Sequence, residues 1–345
     1  MNKFQHGGQI YDEFGQEIFW HDFSANINPL GLSEKMRAAI LENLDGVKNY
    51  PDPDATELKF AISQRYKIDE KNLVVLNGAT EFFYLYFFVT RPKKILIPVP
   101  SFSEYERAAL AAGCEVEYFF TFDKENFKID TEKLLKEVQE KNFDFVILGR
   151  PNNPTGQIIS LDEIKKIAEA TKIIVDESFI DFANIESARK LVSKNICVVQ
   201  SLTKIFGIPG LRLGFAVVAE SLAEKLNMSK DVWNVNFLAQ KVGAVALADE
   251  KFFSDTKSWL TAEKNFITER LKNLGVKFFE PTANFILLRL NSAGMILKKL
   301  REKKFLARSC ENFVGLDEKY LRVAIRSREE NILLLDALEE ILKNV

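Results

Sequence analysis

Two β-branched runs, each ending in residues suited to chemistry, constrain this chain more than any other feature. Ile173-Ile174-Val175 leads into Asp176-Glu177, and Ile196-Cys197-Val198-Val199 leads, through Gln200, into Ser201-Leu202-Thr203-Lys204. Short apolar runs of this kind read as buried strands, of the type found in parallel sheets. Residues just beyond the carboxyl ends of such strands are where open α/β sheets place ligands. An amine able to form a Schiff base, and a carboxylate able to hold a ring nitrogen protonated, are the minimum equipment for carbonyl-cofactor chemistry. Taken alone, the same residues also read as a surface lysine and a helix-capping aspartate.

The surrounding chain repeats this rhythm from about residue 54. Leu73–Leu76, Lys94–Ile97, Glu115–Phe119, Phe143–Leu148 and Leu213–Val218 are strand-like. Glu81–Val89, Ser103–Ala112 and Thr131–Lys141 are helical, and Ser160 with Glu163 forms a capping-box pattern for a helix through Ala170. The alternation predicts an α/β fold with a mostly parallel sheet covered by helices on both faces. After about residue 235 helices dominate to Leu274. Short strands at Asn284–Leu290, Lys304–Ala307 and Tyr320–Ala324 then mix with two helices, which predicts a smaller α+β domain.

The 345 residues suit two domains sharing an interface, and 47% hydrophobic with 28% charged residues is an ordinary globular mix. A net charge of −2 argues against broad nucleic-acid binding. Cys114, Cys197 and Cys310 lack metal-like spacing, and a reducing cytoplasm fits them best. With only His6 and His21, little is left for a zinc site or a Ser-His-Asp triad. The N-terminus lacks a charged start with an apolar core, and the longest apolar stretch, Phe82–Val89, is too short to span a membrane. A cytoplasmic protein without a membrane segment is expected.

Three further motifs supply the parts of an anion-holding site. Asn77-Gly78-Ala79-Thr80-Glu81 joins a strand to a helix, where backbone N–H groups and the helix dipole favour an anion. Arg150-Pro151-Asn152-Asn153-Pro154-Thr155-Gly156 freezes a loop that aims an asparagine amide at a ligand oxygen. Gly210-Leu211-Arg212-Leu213-Gly214 sets an arginine between glycines, able to pair with phosphate. Each alone is also an ordinary turn or a surface arginine.

In this order, over essentially the whole chain, the motifs resemble the aspartate-aminotransferase-like fold of type I pyridoxal phosphate (PLP) enzymes. The resemblance implies a large domain over 46–235 and a small one over 1–45 and 236–345. It implies PLP carried on Lys204, with Asp176 at the ring nitrogen and Asn153 at the ring hydroxyl oxygen. Ala79, Thr80, Ser201, Thr203 and Arg212 would hold the cofactor phosphate, and Phe102 would stack on the ring. Tyr50 would reach the neighbouring subunit's cofactor, which implies a homodimer. In the similar histidinol-phosphate aminotransferases a tyrosine follows Asp-Glu-Ala. Here Asp176-Glu177-Ser178-Phe179 lacks that phenol.

The chain ends narrow the resemblance. His6-Gly7-Gly8 and Asp22-Phe23-Ser24-Ala25-Asn26-Ile27-Asn28-Pro29-Leu30-Gly31 stand near one end. Arg308-Ser309-Cys310-Glu311-Asn312-Phe313 and Tyr320-Leu321-Arg322-Val323-Ala324-Ile325-Arg326-Ser327 stand near the other. Both look like the threonine-phosphate decarboxylases, which supply the aminopropanol phosphate linker of cobalamin. That likeness implies decarboxylation of threonine phosphate, or of serine phosphate, since one methyl group separates the two by only about 1–3 kcal/mol. Arg322 would take the substrate carboxylate and orient it, with Asn153 nearby. His6, Asn28 and Arg326 are candidates for the substrate phosphate, and Arg308 is another. Cys310 and Glu177 read as structural. The alternatives are a histidinol-phosphate aminotransferase and, from another class, a PLP-binding regulatory domain. The latter needs a DNA-binding domain that residues 1–50 are too short to form.

Overall fold

A computed structural model of the chain describes residues 3–121 and 125–343. In chain order, strands β1 (His21–Asp22), β2 (Leu73–Leu76), β3 (Lys94–Val99) and β4 (Glu115–Phe120) come first. They are followed by β5 (Phe145–Gly149), β6 (Lys172–Asp176), β7 (Ile196–Ser201) and β8 (Gly214–Val217). The remainder holds β9 (Lys277–Phe278), β10 (Phe285–Arg289), β11 (Phe305–Leu306), β12 (Arg308–Ser309) and β13 (Tyr320–Ala324).

Seven strands form one sheet in the order β2-β8-β7-β6-β5-β3-β4. The pairs from β4 through β3, β5 and β6 to β7 are parallel. Both faces are covered, as the unbroken apolar runs require. Ile174, Cys197 and Val199 enter one apolar cluster, while Ile173, Val175, Ile196 and Val198 enter another on the opposite face. That alternation is the period-two projection of side chains from a pleated strand.

β8 runs antiparallel to both β7 and β2. Its start therefore lies at the sheet edge where β2, β6 and β7 end. Leu76 and Ser201 both pair with Gly214, and Asp176 pairs with Val199 and Gly149. One edge thus collects the Gly78 turn, Asp176, Ser201–Lys204 and Arg212.

A second, antiparallel sheet has the order β12-β13-β10-β9. The N-terminal segment is stitched to this later part of the chain. β1 pairs in parallel with β11, Phe23 N donates to Leu306 O (2.8 Å), and Ala324 N donates to Phe23 O (2.8 Å). The helix Thr131–Lys141 and the strand Tyr320–Ala324 have the bounds the sequence predicts, and the capping box of Ser160 and Glu163 is formed. The strand expected at Leu213–Val218 begins one residue later, because Arg212 sits in the left-handed region (φ 56°). β9 and β12 were not expected; two residues are too short to show a period. The apolar stretch Phe82–Val89 lies in the helix Thr80–Thr90, with Phe82, Phe83 and Phe87 buried against the sheet. No helix among the described residues is long and apolar enough to cross a membrane.

Candidate active site

An open cavity, continuous with solvent, lies at the sheet edge where these motifs meet. Its lining holds five cationic side chains, Arg107, Lys204, Arg212, Arg308 and Arg322, against two carboxylates, Asp176 and Glu104. Such a wall favours anionic ligands.

The anion cradle is built by close backbone approach. Gly78 has φ +80°, and a Cβ there would overlap the Arg212 guanidinium at 2.3 Å. A Cβ on Gly214 would come within 2.6 Å of Ala79 N. Only glycine at both positions lets Arg212 lie against the turn that opens the helix Thr80–Thr90. Glu81 N and Phe82 N donate to Gly78 O and Ala79 O, so the backbone of Ala79 and Thr80, which line the cavity at the helix start, is what is offered to an anion. Ser201 Oγ and Thr203 Oγ1 lie 2.8 Å apart at the end of β7 and add two hydroxyls.

Lys204 sits in the single helical turn Leu202–Ile205 directly after β7. Its pKa is lowered to about 8, chiefly by burial and then by the positive charges of Arg212 and Arg322, with Asp176 opposing them. A larger fraction of the amine is therefore neutral, and nucleophilic, near neutral pH than for an ordinary lysine. Asp176 ends β6 with both carboxylate oxygens engaged. Ser178 N donates to Oδ1 (2.9 Å) and the Tyr105 hydroxyl donates to Oδ2 (2.8 Å). Burial raises its pKa, while the hydrogen bonds from Ser178 and Tyr105 lower it. Tyr105 lies in the helix Glu104–Ala111 and carries no motif that marks it as a site residue. Nothing in the spacing of residues 105 and 176 signals their contact.

Glu177, adjacent to Asp176, points the other way. Arg150 Nη1 donates to it at 2.7 Å and Ala188 N at 2.8 Å, in a buried network with Ser187. This matches its expected structural role. Asn152 Nδ2 donates to Pro100 O and to Thr155 Oγ1 (both 2.8 Å), bracing the loop that carries Asn153. Asn153 Oδ1 accepts from Arg322 Nη1 at 2.5 Å, and Arg322 Nη2 donates to Ser24 O at 2.6 Å. Phe102 lines the cavity between the His6 ring (centroids 5.5 Å apart) and the Tyr105 ring (5.6 Å). Phe179 is packed edge-on against Phe285 and offers no hydroxyl.

The substrate candidates divide. His6 lines the cavity and its Nε2 lies 2.7 Å from Glu104 Oε1. Arg308 also lines it, with Nη2 donating to Gln5 O (2.6 Å) and Asn312 Oδ1 (2.8 Å). Asn28 and Arg326 do not line it. Asn28 Nδ2 donates to Ile205 O and Thr256 Oγ1 (both 2.8 Å), while Oδ1 accepts from Leu30 N. Arg326 is held by Glu330 in the first turn of the helix Arg328–Leu342 (3.0 Å). Both side chains are spent on local structure, which motif position alone does not reveal. Tyr50 is 75% exposed outside the cavity, stacked on Trp233 at 4.0 Å.

A buried amine of lowered pKa, a buried carboxylate and a glycine-opened phosphate cradle at one sheet edge fit pyridoxal 5'-phosphate. They define a PLP enzyme. The chain belongs to the aminotransferase class I and II family, whose sequence profile matches residues 20–338. It is 35% identical to the threonine-phosphate decarboxylase of Salmonella typhimurium, over 94% of this chain and 92% of that protein. It is 33% identical to the adenosylcobalamin biosynthesis bifunctional protein CobDQ of Leptospira interrogans, over 99% of this chain and 41% of that longer protein. The crystal structure of the histidinol-phosphate aminotransferase from Clostridium acetobutylicum superposes with a TM-score of 0.87 at 30% identity, over 94% of this chain and 99% of that one.

Proposed function

We propose that this protein decarboxylates a phosphorylated amino acid, L-threonine O-3-phosphate, to (R)-1-amino-2-propanol O-2-phosphate for the cobalamin nucleotide loop. L-serine O-phosphate is the other substrate compatible with the same site. The observation that carries the reading is the surplus of positive charge. With Arg212 assigned to the cofactor phosphate, Arg308, Arg322 and Arg107 still line the cavity. A substrate bearing both a carboxylate and a phosphate suits them. The identity to a threonine-phosphate decarboxylase, together with Phe179 in place of a phenol, favours this over transamination of histidinol phosphate.

Lys204, Ser201, Thr203, Arg212, Ala79 and Thr80 would hold the cofactor, with Asp176 at its ring nitrogen, Asn153 at its hydroxyl oxygen and Phe102 against its face. When bound, PLP supplies an electron sink for the pair released as a bond to Cα breaks. The remaining chemistry belongs to the chain. Hydrogen bonds from Tyr105 and Ser178 favour the anionic form of Asp176 against the pull of burial, and that form would hold the ring nitrogen protonated. Arg322 fixes the direction of the substrate carboxylate. Two of its nitrogens are already committed to Asn153 and Ser24, which limits how firmly it grips a group that must leave as neutral carbon dioxide. Lys204, whose side chain lines the cavity, would be the candidate to return a proton to Cα. His6 and Arg308 face the substrate phosphate.

The same reading includes a cytoplasmic homodimer in which Tyr50 completes the partner's site, and the large and small domains at 46–235 and 1–45 with 236–345. The pairing of β1 with β11 supports that division. The test is mass-spectrometric product analysis of PLP-loaded protein with O-phospho-L-threonine, O-phospho-L-serine, and histidinol phosphate plus 2-oxoglutarate. Release of carbon dioxide from a phosphoamino acid is expected, and the faster of the two settles the methyl group. Glutamate formed from histidinol phosphate and 2-oxoglutarate, without carbon dioxide release, would replace this reading by transamination.

A further inference from the structure

Arg150 and Glu177, each the first residue beyond the end of its strand, form a buried ion pair behind the cavity. Gly149 pairs with Asp176 at the ends of β5 and β6, and Arg150 N donates to Asp176 O (2.7 Å). Beyond that bond the two segments part. One enters the loop that carries Asn153, the other the turn of Ser178 and Phe179. Asn153 and Asp176 line the cavity, whereas neither Arg150 nor Glu177 does. The Arg150 guanidinium bridges the two segments from behind. Its Nη1 donates to Glu177 Oε1 (2.7 Å) and to Glu186 O (2.8 Å), and its Nε donates to Ile159 O (2.9 Å), past the far end of the Asn153 loop. Glu177 is held in turn by Ala188 N (2.8 Å) and by Ser187 Oγ. Arg150 is 3% exposed and Glu177 0%. Desolvating two charges offsets much of their attraction, so such a pair adds little net stability over apolar side chains of similar volume. What it does supply is geometry, a planar fork whose donors meet three separate segments.

We propose that Arg150 and Glu177 are positioning residues that set the separation of Asn153 from Asp176, the partners assigned above to the cofactor's hydroxyl oxygen and ring nitrogen. This rests on that assignment within the PLP reading of the site. With the fork in place, both ends of the Asn153 loop and the residue after Asp176 are tied to one guanidinium, so the two ring partners are held as one body. The bonds from Asn152 N to Gln157 O (2.8 Å) and from Gly156 N to Asn152 O (2.7 Å) fix the shape of the loop, not its distance from Asp176. Without the fork, the loop keeps its backbone bond to Asp176 O but has no grip on Glu177. A hydrogen bond at the hydroxyl oxygen and a proton held on the ring nitrogen both draw electrons from the linkage between Lys204 and the cofactor. Slackening them raises the pH at which that linkage loses its proton.

The experiment titrates the visible absorbance of PLP-loaded protein against pH for wild type, Asn153→Ala, and the double variant Arg150→Met with Glu177→Gln. Replacing both partners leaves no buried charge without a counter-ion. The double variant is expected to fold and bind PLP with its titration midpoint raised by about half a pH unit or more. An unchanged or lowered midpoint overturns the proposal whatever the thermal stability, because a merely structural pair changes stability and leaves the cofactor's titration alone. Should the double variant fail to hold PLP, Glu177→Gln keeps the shape of the side chain. Its midpoint must rise by a smaller amount, and no rise overturns the proposal. Asn153→Ala separates this result from the assignment beneath it. Its midpoint must rise by itself; if it does not, Asn153 is not at the hydroxyl oxygen and the positioning role falls with that assignment. A rise in Asn153→Ala with none in the pair variants overturns the positioning role alone. The readout needs no substrate, so a failure of the phosphoamino-acid reading leaves it intact.

Discussion

The cofactor wall of the cavity and its substrate wall are assembled by different means. Ala79, Thr80, Asp176, Ser201, Thr203, Lys204 and Arg212 come from strand ends and the turns and helix starts beside them at one edge of a single sheet, and strand register fixes their spacing. His6, Ser24, Asn26, Arg308 and Arg322 come from the two ends of the chain. They meet because β1 pairs with β11 and because Arg308 and Arg322 hold carbonyls of Gln5 and Ser24. The first wall is rigid through the fold's core. The second depends on a few hydrogen bonds made by the same arginines that line the cavity. Changes to the cofactor wall should therefore abolish chemistry or alter cofactor binding, and changes to the substrate wall should act on substrate capture.

Lys204→Ala tests the cofactor wall with the largest expected effect. Turnover should fall below about one-thousandth of wild type, and the absorbance of the covalently held cofactor should vanish. Native mass spectrometry should show an unchanged oligomeric state. The wild-type apo protein adds a pH signature. Because the Lys204 pKa is lowered to about 8, chiefly by burial, the amine is mostly protonated at pH 6 and mostly neutral at pH 9. PLP uptake should accelerate as pH rises through about 8, and the variant should show no such step. Covalent cofactor in the variant would remove Lys204 from its role.

Arg322→Ala tests the substrate wall. Removing one partner of a buried charged contact costs roughly 2–5 kcal/mol, so substrate affinity should fall on the order of a hundredfold or more. PLP affinity, measured by fluorescence quenching, should change far less. A comparable loss of both affinities would mean that Arg322 supports the whole site and that the two walls are not separable.

The same division explains what could be read in the sequence. The cofactor wall was legible because each part is a local motif at a strand end: Asn77–Glu81, Asp176–Glu177, Ser201–Lys204 and Gly210–Gly214. Contacts between distant positions were not. The hydrogen bond from Tyr105 to Asp176 spans 71 positions, and that from Arg322 to Ser24 spans 298. Asn28 and Arg326 show the converse limit. Their motif positions pointed to the substrate, but one is spent beneath Lys204 and the other on a helix end. Strand order was hidden for a similar reason, since nothing local in Leu213–Val218 tells an antiparallel strand from a parallel one. That reversal of β8 is nevertheless what places Arg212 beside Gly78.

Tyr105→Phe is the smallest of these effects and the most selective. The phenol touches no ligand directly; it donates to Asp176 Oδ2, while Ser178 N still holds Oδ1. Losing one of two hydrogen bonds to a buried carboxylate should weaken PLP binding by about tenfold, near 1.4 kcal/mol. The pH dependence identifies the cause. Burial already raises the Asp176 pKa, and Tyr105 is one of the bonds that counter it, so the variant raises it further. The anionic form needed at the ring nitrogen is then lost at a higher pH on acidification. The acid limb of the affinity profile should move to higher pH in Tyr105→Phe, with wild-type affinity approached on the alkaline side. A uniform loss at every pH would assign Tyr105 to packing against Phe83 and Phe102 instead, leaving Asp176 to be held by its own backbone turn.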